Sequence, residues 1–247
     1  PAPGTRIVHF DNDPMVIGAN YRTEVGVVGD LRLSLAAVHA VLDRRAQGAD
    51  GFGGAAAIAQ IKARKFAKFH HLAQSTETPI RPERVVDALM KVLPPDATVV
   101  SDPGTSCPYV SAYYQLQQPG RYFITNRAHG ALGYALSASL GAWFGRPASK
   151  TVALMGDGSF GFTVGELETV CRARAPITFV VFSNANFGWI KASQFADKGA
   201  RYYNVDFNRT DHAAIAAAYG VKSWRVESPE DLERVMREAV DHDGPTL

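Results

Sequence analysis

Two short runs, Thr151–Met155 and Ile177–Ser183, are almost wholly apolar, and each stops at a segment of glycine and oxygen-bearing side chains. The first leads into Gly156-Asp157-Gly158-Ser159, the second into Asn184-Ala185-Asn186-Phe187-Gly188-Trp189. Continuous Val/Ile/Phe runs of this length read as strands buried on both faces, as in a parallel sheet. The stretch between them has room for one crossover helix. Thr163-Val164-Gly165-Glu166 reads as a capping box opening that helix, which runs to about Arg174. A strand–helix–parallel strand unit returns the chain right-handedly to the same sheet. If the two strands are neighbours, Asp157 and Asn184 meet at their carboxyl ends, where open parallel sheets bind ligands.

The remaining pattern extends the same architecture. Pro82 stands at a helix first turn, followed by Val85, Val86, Leu89, Val92 and Leu93. Thr98–Ser101 reads as a strand, and a helical or irregular stretch surrounds Tyr109–Tyr114. Tyr122–Thr125 reads as a short strand, and a small-residue helix is expected from Gly130 to Phe144. Asp211 starts a helix ending at Gly220, Lys222–Val226 reads as a strand, and Ser228-Pro229-Glu230-Asp231 opens a last helix through Ala239. Strands alternating with helices predict an α/β fold with a doubly wound parallel sheet. Upstream, Arg6–Phe10 reads as a strand, and Asp30 caps a helix with Leu31, Leu35, Val38 and Leu42 on one face. Gly48 to Gly54 reads as a linker, followed by a basic helical stretch from Ile58 to His71. The organisation expected is residues 1–48 as the end of one domain, 49–80 as linker with basic helix, and 81–247 as a ligand-binding domain. The first residue is Pro and the last ones form a turn signal followed by Thr246-Leu247, so a piece of a longer polypeptide, or one chain of a split enzyme, is expected.

The two segments suggest a definite chemistry. An Asp carboxylate, an Asn amide oxygen and a main-chain carbonyl from the loop after Asn184 make a hard oxygen set that suits Mg²⁺, an ion that shares its site with phosphates. Gly156 and Gly158 let the backbone approach an anion closely, and Ser159 adds a hydroxyl. The reading is a Mg²⁺–diphosphate site. Gly156-Asp157-Gly158-Ser159-Phe160-Gly161 also has the letters of a dinucleotide-binding loop. The ribose-binding acid of that motif would fall near Phe179, inside an apolar run, so that reading is set aside.

Composition narrows the classes further. The 247 residues carry 26 Lys+Arg against 24 Asp+Glu, a net charge of +2 that predicts neither a nucleic-acid nor an acidic-lipid partner. Forty-six per cent hydrophobic residues suffice for a sizeable core. No apolar run is long enough for a membrane-spanning helix. The two cysteines, Cys107 and Cys171, form neither a disulfide framework nor a zinc pattern, which predicts a reducing, cytoplasmic setting. His70-His71 lacks a third ligand nearby for a metal.

Gly156-Asp157-Gly158-Ser159-Phe160 followed by Ser183-Asn184-Ala185-Asn186-Phe187-Gly188 resembles the signature of the thiamine-diphosphate-dependent enzymes, in the group of acetolactate synthases, 2-oxo acid decarboxylases and aldehyde lyases. The resemblance places Asp157, Asn184 and the carbonyl of Asn186 as metal ligands. Ser183 stands where the family's first Asn is usual, while the ligand Asn is kept. Asp102-Pro103-Gly104-Thr105-Ser106 lies where such enzymes bind the diphosphate. Arg127-Ala128-His129-Gly130-Ala131-Leu132-Gly133-Tyr134 resembles the stretch that touches the aminopyrimidine, through the Gly130 carbonyl, and bends the cofactor over a hydrophobe, Leu132. The cofactor-binding set so implied is Gly104, Thr105, Ser106, Gly130, Ala131, Leu132, Gly156, Asp157, Gly158, Ser159, Asn184, Phe187 and Gly188. His129 and Trp189 are the candidates on the substrate side.

The resemblance covers Pro82 to Leu247 as the diphosphate-binding domain, and Val8 to Leu31 resembles the end of the preceding central domain. It implies thiamine diphosphate and Mg²⁺ as cofactors, a 2-oxo acid or 2-hydroxyacyl substrate, and a homodimer or homotetramer. It also implies a missing N-terminal, pyrimidine-binding half that carries the activating Glu. Glu166 reads as a helix cap and Glu168 as helix surface, so neither replaces that Glu. Ile190 stands where some decarboxylases carry Glu, which argues against simple conversion of pyruvate to an aldehyde. The other readings are a non-catalytic nucleotide- or phosphate-binding module and a catalytically dead structural fragment.

Overall fold

A computed structural model describes residues 1–45 and 54–247. The linker expected from Gly48 to Gly54 lies outside the described residues, apart from Gly54 itself. The chain divides into two compact units, Pro1–Gln60 and Ile61–Leu247. In the first, β1 (Val8–Asp11) pairs in parallel with β2 (Val25–Val28), with Val8 opposite Val25. Helix α1 (Leu31–Arg45) follows, its first turn capped by Asp30, whose Oδ1 accepts the Leu33 amide at 2.9 Å. Helix α2 (Gly54–Ala73) contains the basic stretch and crosses the division between the units. Most of its cationic side chains lie on exposed residues, as a solvated helix requires.

The second unit opens with α3 (Pro82–Val92), which has Pro in its first turn, where the missing N–H costs no hydrogen bond. Then come β3 (Thr98–Ser101), α4 (Ser106–Tyr113), β4 (Phe123–Ile124) and α5 (Tyr134–Gly145). Strand β5 (Thr151–Gly156) runs directly into α6 (Asp157–Thr163), a single 3₁₀ turn (Val164–Glu166) and α7 (Leu167–Arg172). Strand β6 (Ile177–Phe182), α8 (Gly188–Asp197), α9 (His212–Ala218) and α10 (Leu232–Asp241) complete it.

All pairings in the main sheet are parallel, in the order β4-β3-β5-β6. Residues alternate between two separate cores, one on each face. Val99, Val152 and Leu154 pack with Val86 and Leu89 of α3 and Met236 of α10. Val100, Ala153 and Met155 pack with Leu136 of α5, Leu167 and Val170 of α7, and Ala216 of α9. This is the doubly wound α/β arrangement, and it explains why the strands are apolar on both faces. From β3 the chain moves outward to β4, then crosses back to β5 on the other side and continues to β6. The order therefore reverses between β3 and β5, and the crevice at their carboxyl ends is the expected binding place.

Three local expectations change. The capping box at Thr163 does not form: the helix has already begun at Asp157, and Thr163 makes no side-chain cap. Its hydroxyl instead donates to the Gly133 carbonyl at 3.0 Å, and Glu166 is an exposed acceptor for Thr169 rather than a cap. The small-residue helix starts at Tyr134, not Gly130, because Gly130 and Gly133 take left-handed φ values of 77° and 85°. Lys222–Val226 is not a strand; only Lys222 bridges to Thr246, which also bridges to Thr178 of β6. Asp211 does cap α9, accepting the Ala214 amide at 2.9 Å.

Candidate functional site

The carboxyl ends of β3, β5 and β6 bring the expected residues together. Asp157 is the first residue after β5 and is nearly fully buried. Its Oδ2 accepts the amides of Asn184 at 2.8 Å and Ala185 at 2.6 Å, and its Oδ1 accepts that of Gly158 at 2.9 Å. The strand register, Gly156 opposite Phe182, sets this meeting. The loop beyond β6 is tightly wound. Asn184 Oδ1 accepts the Asn186 amide at 3.2 Å, Asn186 Nδ2 donates to the Asn184 carbonyl at 3.0 Å, and Ala185 adopts a left-handed φ of 56°.

Gly188 shows how closely three of these residues converge. A Cβ there would lie 3.0 Å from Thr105 Oγ1, 3.1 Å from Asn184 Nδ2 and 3.3 Å from Asn186 Oδ1. A Cβ at Gly158 would strike the ring of Phe187. Both glycines are therefore demanded by close packing at the site. Ser106 and Ser159 are buried beside it, and the Ser106 hydroxyl is tied to Ser101 Oγ at 3.1 Å.

The segment from Asn126 to Gly133 forms a second wall. Asn126 closes it into a compact loop: its carbonyl accepts the amides of His129 at 3.0 Å and Gly130 at 2.8 Å, and its Nδ2 donates to the Ala131 carbonyl at 3.1 Å. Leu132 reaches toward the β3 loop, its Cδ2 lying 3.7 Å from where a Gly104 Cβ would stand. His129 and Ala131 are exposed. Trp189 is half exposed and lies under the Arg127 guanidinium, 5.7 Å from the ring centroid, while Arg127 Nη1 donates to the Pro103 carbonyl at 3.0 Å. Arg127 thus links the β3 loop, the glycine loop and the start of α8. Glu168 pairs with Arg172 on the surface of α7, as expected.

Sequence reasoning passed over several contributors. Asp102, fully buried at the end of β3, accepts the amides of Gly133 at 3.0 Å and Ala135 at 2.9 Å. Burial pushes its carboxyl above the usual range, opposed by the Ala135 amide, the Ser159 hydroxyl and the Gly133 and Tyr134 amides. Asp102 was legible as an acid at a strand end, but its partners more than 30 positions away were not. The Val205–Phe207 segment pins the Asn184 loop: Phe187 donates to Val205 at 2.9 Å and Phe207 to Ala185 at 3.0 Å. No pattern in that segment announces it. His212 stands edge-on to Phe160, with its Nδ1 3.2 Å from Ser183 Oγ. Burial lowers its pKa, against the pull of Asp157 and Asp211. Ser183 thus has a specific partner.

Among the described residues no group of three or more His, Cys, Asp or Glu gathers as a metal cluster. A cation here would draw on mixed oxygen donors, and the Asp157 carboxylate, the Asn184 amide and the main chain at Asn186 supply that chemistry. These residues fit a hard divalent ion beside a diphosphate. Among the described residues no helix is long and apolar enough to cross a membrane.

The sequence and the fold are similar to those of known proteins. Residues 102–247 match the sequence model of the thiamine pyrophosphate enzyme C-terminal TPP-binding domain. The chain is 28% identical over 257 aligned positions to a probable acetolactate synthase large subunit of Methanococcus aeolicus, covering 100% of this chain and 43% of the relative. It is 33% identical over 166 positions to an acetolactate synthase of Bacillus subtilis (strain 168), covering 67% and 29%. Its fold is similar to the thiamine diphosphate-dependent 4-hydroxybenzoylformate decarboxylase of Rhodococcus jostii RHA1, with a TM-score of 0.65 and 22% identity over 70% of this chain and 32% of that one. The chain spans less than half the length of these relatives.

Proposed function

Because the chain belongs to the family of thiamine pyrophosphate enzymes and carries their C-terminal cofactor-binding domain, we propose that it is the diphosphate-holding half of an enzyme that makes or breaks C–C bonds next to a carbonyl. The observation that carries this reading is the convergence of Asp157, Asn184, Asn186 and Thr105 at the carboxyl ends of β3, β5 and β6. When bound, thiamine diphosphate supplies a carbanion and an electron sink for that chemistry.

The residues of this chain hold and orient. Asp157, Asn184 and the carbonyl of Asn186 take Mg²⁺. Gly104, Thr105, Ser106, Gly156, Gly158 and Ser159 receive the diphosphate, with Phe187 and Gly188 shaping the wall behind it. The Gly130 carbonyl would accept from the aminopyrimidine, Ala131 would continue that strap, and Leu132 would be the hydrophobe that keeps the cofactor bent. His129 and Trp189 face the substrate, a 2-oxo acid or 2-hydroxyacyl compound.

The activating Glu belongs to a pyrimidine-binding half, and the complete enzyme is a homodimer or homotetramer. In support, Phe162, Trp189, Ile190 and Phe195 stand exposed on the helices that leave this end of the sheet, a surface that a further domain would cover. On this reading residues 1–48 end the preceding central domain, 49–80 link it, and 81–247 form the cofactor domain.

The test titrates the enzyme that carries this chain with thiamine diphosphate, with Mg²⁺ present or chelated, and then screens turnover of 2-oxo acids and 2-hydroxyacyl compounds. Mg²⁺-dependent binding with turnover of at least one such substrate is expected. Binding indifferent to Mg²⁺, or no turnover of either class, defeats the reading.

A further inference from the structure

Two buried carboxylates stand at the carboxyl ends of neighbouring strands, and only Asp157 is used to hold a cation. Asp102 is fully buried, and its main chain is fixed to the sheet by its amide, which donates to the Leu154 carbonyl at 2.9 Å. Its side chain reaches across to the start of α5. Oδ1 accepts the Gly133 amide at 3.0 Å and Oδ2 the Ala135 amide at 2.9 Å. The first amides of a helix have no partner within it, and a negative charge there meets the positive end of the helix dipole. Gly133, the N-cap residue, has no side chain to do this locally.

Gly133 is gripped from its other side as well. The Thr163 hydroxyl donates to its carbonyl at 3.0 Å, and its φ of 85° is one that a side chain would resist. Both polar groups of this peptide region are thus tied to different strand ends, β3 through Asp102 and β5 through α6. Gly130, Ala131 and Leu132 immediately precede this clamp. Leu132 lies over Gly104, two residues past Asp102 on the same loop. A displacement at Gly133 therefore carries directly into Leu132 and Gly130.

We infer that Asp102 is a positioning residue for the cofactor: by fixing the amides of Gly133 and Ala135 to the end of β3, it sets where the Leu132 side chain stands. The inference rests on the reading of Leu132 as a cofactor contact, and Asp102 acts through Leu132.

The experiment is a double-mutant cycle in the enzyme that carries this chain. Asp102→Asn keeps the size of the side chain but turns an NH₂ group toward one amide donor. It should lower kcat by about tenfold or more, with KM for the substrate little changed, since small misplacements of reacting groups are costly. In a Leu132→Ala background, where the wedge is already gone, the same change should lower kcat by less than about threefold. Independent, multiplying losses would overturn the inference. Amide hydrogen exchange gives a readout apart from activity. Exchange at Gly133 and Ala135 should quicken in Asp102→Asn, while Val180 and Met155 in the sheet stay protected. Quickening throughout the domain would mean that Asp102 serves stability alone and would also overturn it. If Asp102→Asn does not fold, Thr163→Val, which releases the other side of Gly133, enters the same cycle with the same criterion. Exchange at Gly133 and Ala135 in the unaltered enzyme must in any case be slow. Lack of turnover by the unaltered enzyme would count against the proposed function, whereas the exchange pattern judges the clamp by itself.

Discussion

The Asn184 amide lies 2.8 Å from Asp157 Oδ2, although 27 positions separate the two residues. The Ala185 amide reaches the same oxygen at 2.6 Å. One carboxylate thus shapes the Asn184 loop and, on the proposed reading, would also offer a charge to the metal. Loss of Asp157 should then have two separable effects.

Asp157→Ala should abolish Mg²⁺-dependent cofactor binding. It should also destabilise the fold by about 1–3 kcal/mol, because the amides of Gly158, Asn184 and Ala185 lose their acceptor. Asn184→Ala should weaken binding less, since it removes a neutral ligand. Calorimetric titration with thiamine diphosphate and Mg²⁺, alongside thermal melting, measures both effects. Unchanged cofactor affinity in Asp157→Ala would remove the metal assignment.

Leu132→Ala should leave the metal and diphosphate contacts in place and loosen the bend. The expected result is a larger fall in kcat than in cofactor affinity. Normal turnover would show that Leu132 is an ordinary packing residue at the mouth of α5.

Gly133→Ala tests the backbone. A Cβ there would lie 2.9 Å from Phe162 Cβ and 3.0 Å from Thr163 Cγ2, at a φ of 85°. Strain and overlap together should cost about 1–3 kcal/mol. At Gly130, also left-handed, the space is open, so Gly130→Ala should cost less. Chemical denaturation of the two variants ranks them, and equal losses would contradict the packing.

His212 makes stability depend on pH. Burial lowers its folded-state pKa below the unfolded value, so the folded state prefers the neutral ring. The stabilisation is complete above the unfolded pKa of about 6.5 and is lost as the pH falls from there toward the folded-state value. Between pH 7 and pH 5 the melting temperature should fall more steeply for the unaltered protein than for His212→Gln. Equal slopes would show that the ring protonates freely in the fold.

The 247-residue chain by itself should fold but show no measurable carboligase or decarboxylase activity. With a partial set of contacts the ordering cost of the cofactor is poorly offset, and the reacting carbon stays open to water. Addition of the N-terminal half should restore affinity and turnover in a steady-state assay. Substantial turnover by the chain alone would mean that an activating carboxylate lies within it.

The sequence by itself determined the four strands of the main sheet, the presence of helices between them and the residues at the strand ends, though not the helix starts at Asp157 and Tyr134. Val/Ile/Phe runs of strand length between helical segments read as strands buried on both faces of a parallel sheet, and glycine and Asp at their ends mark where the chain leaves it. From this, Asp157 and Asn184 are expected to meet if the two strands are neighbours, and the sheet makes them so. What the tertiary structure decided is the partnership of groups far apart in the chain. Thr163 looked like a local cap because its neighbours had the right letters, yet its hydroxyl serves Gly133, 30 positions away. Asp102 reads with the diphosphate-binding stretch Asp102–Ser106, yet it caps a helix that starts 32 positions later, at Tyr134. Phe207 and Val205 had no visible role, yet they hold the Asn184 loop. Hydrophobic periodicity is a local signal that every residue in a strand or helix repeats, so it can be read along the chain. A hydrogen bond across a crevice depends on strand order and register, which fix distances only after the sheet has assembled.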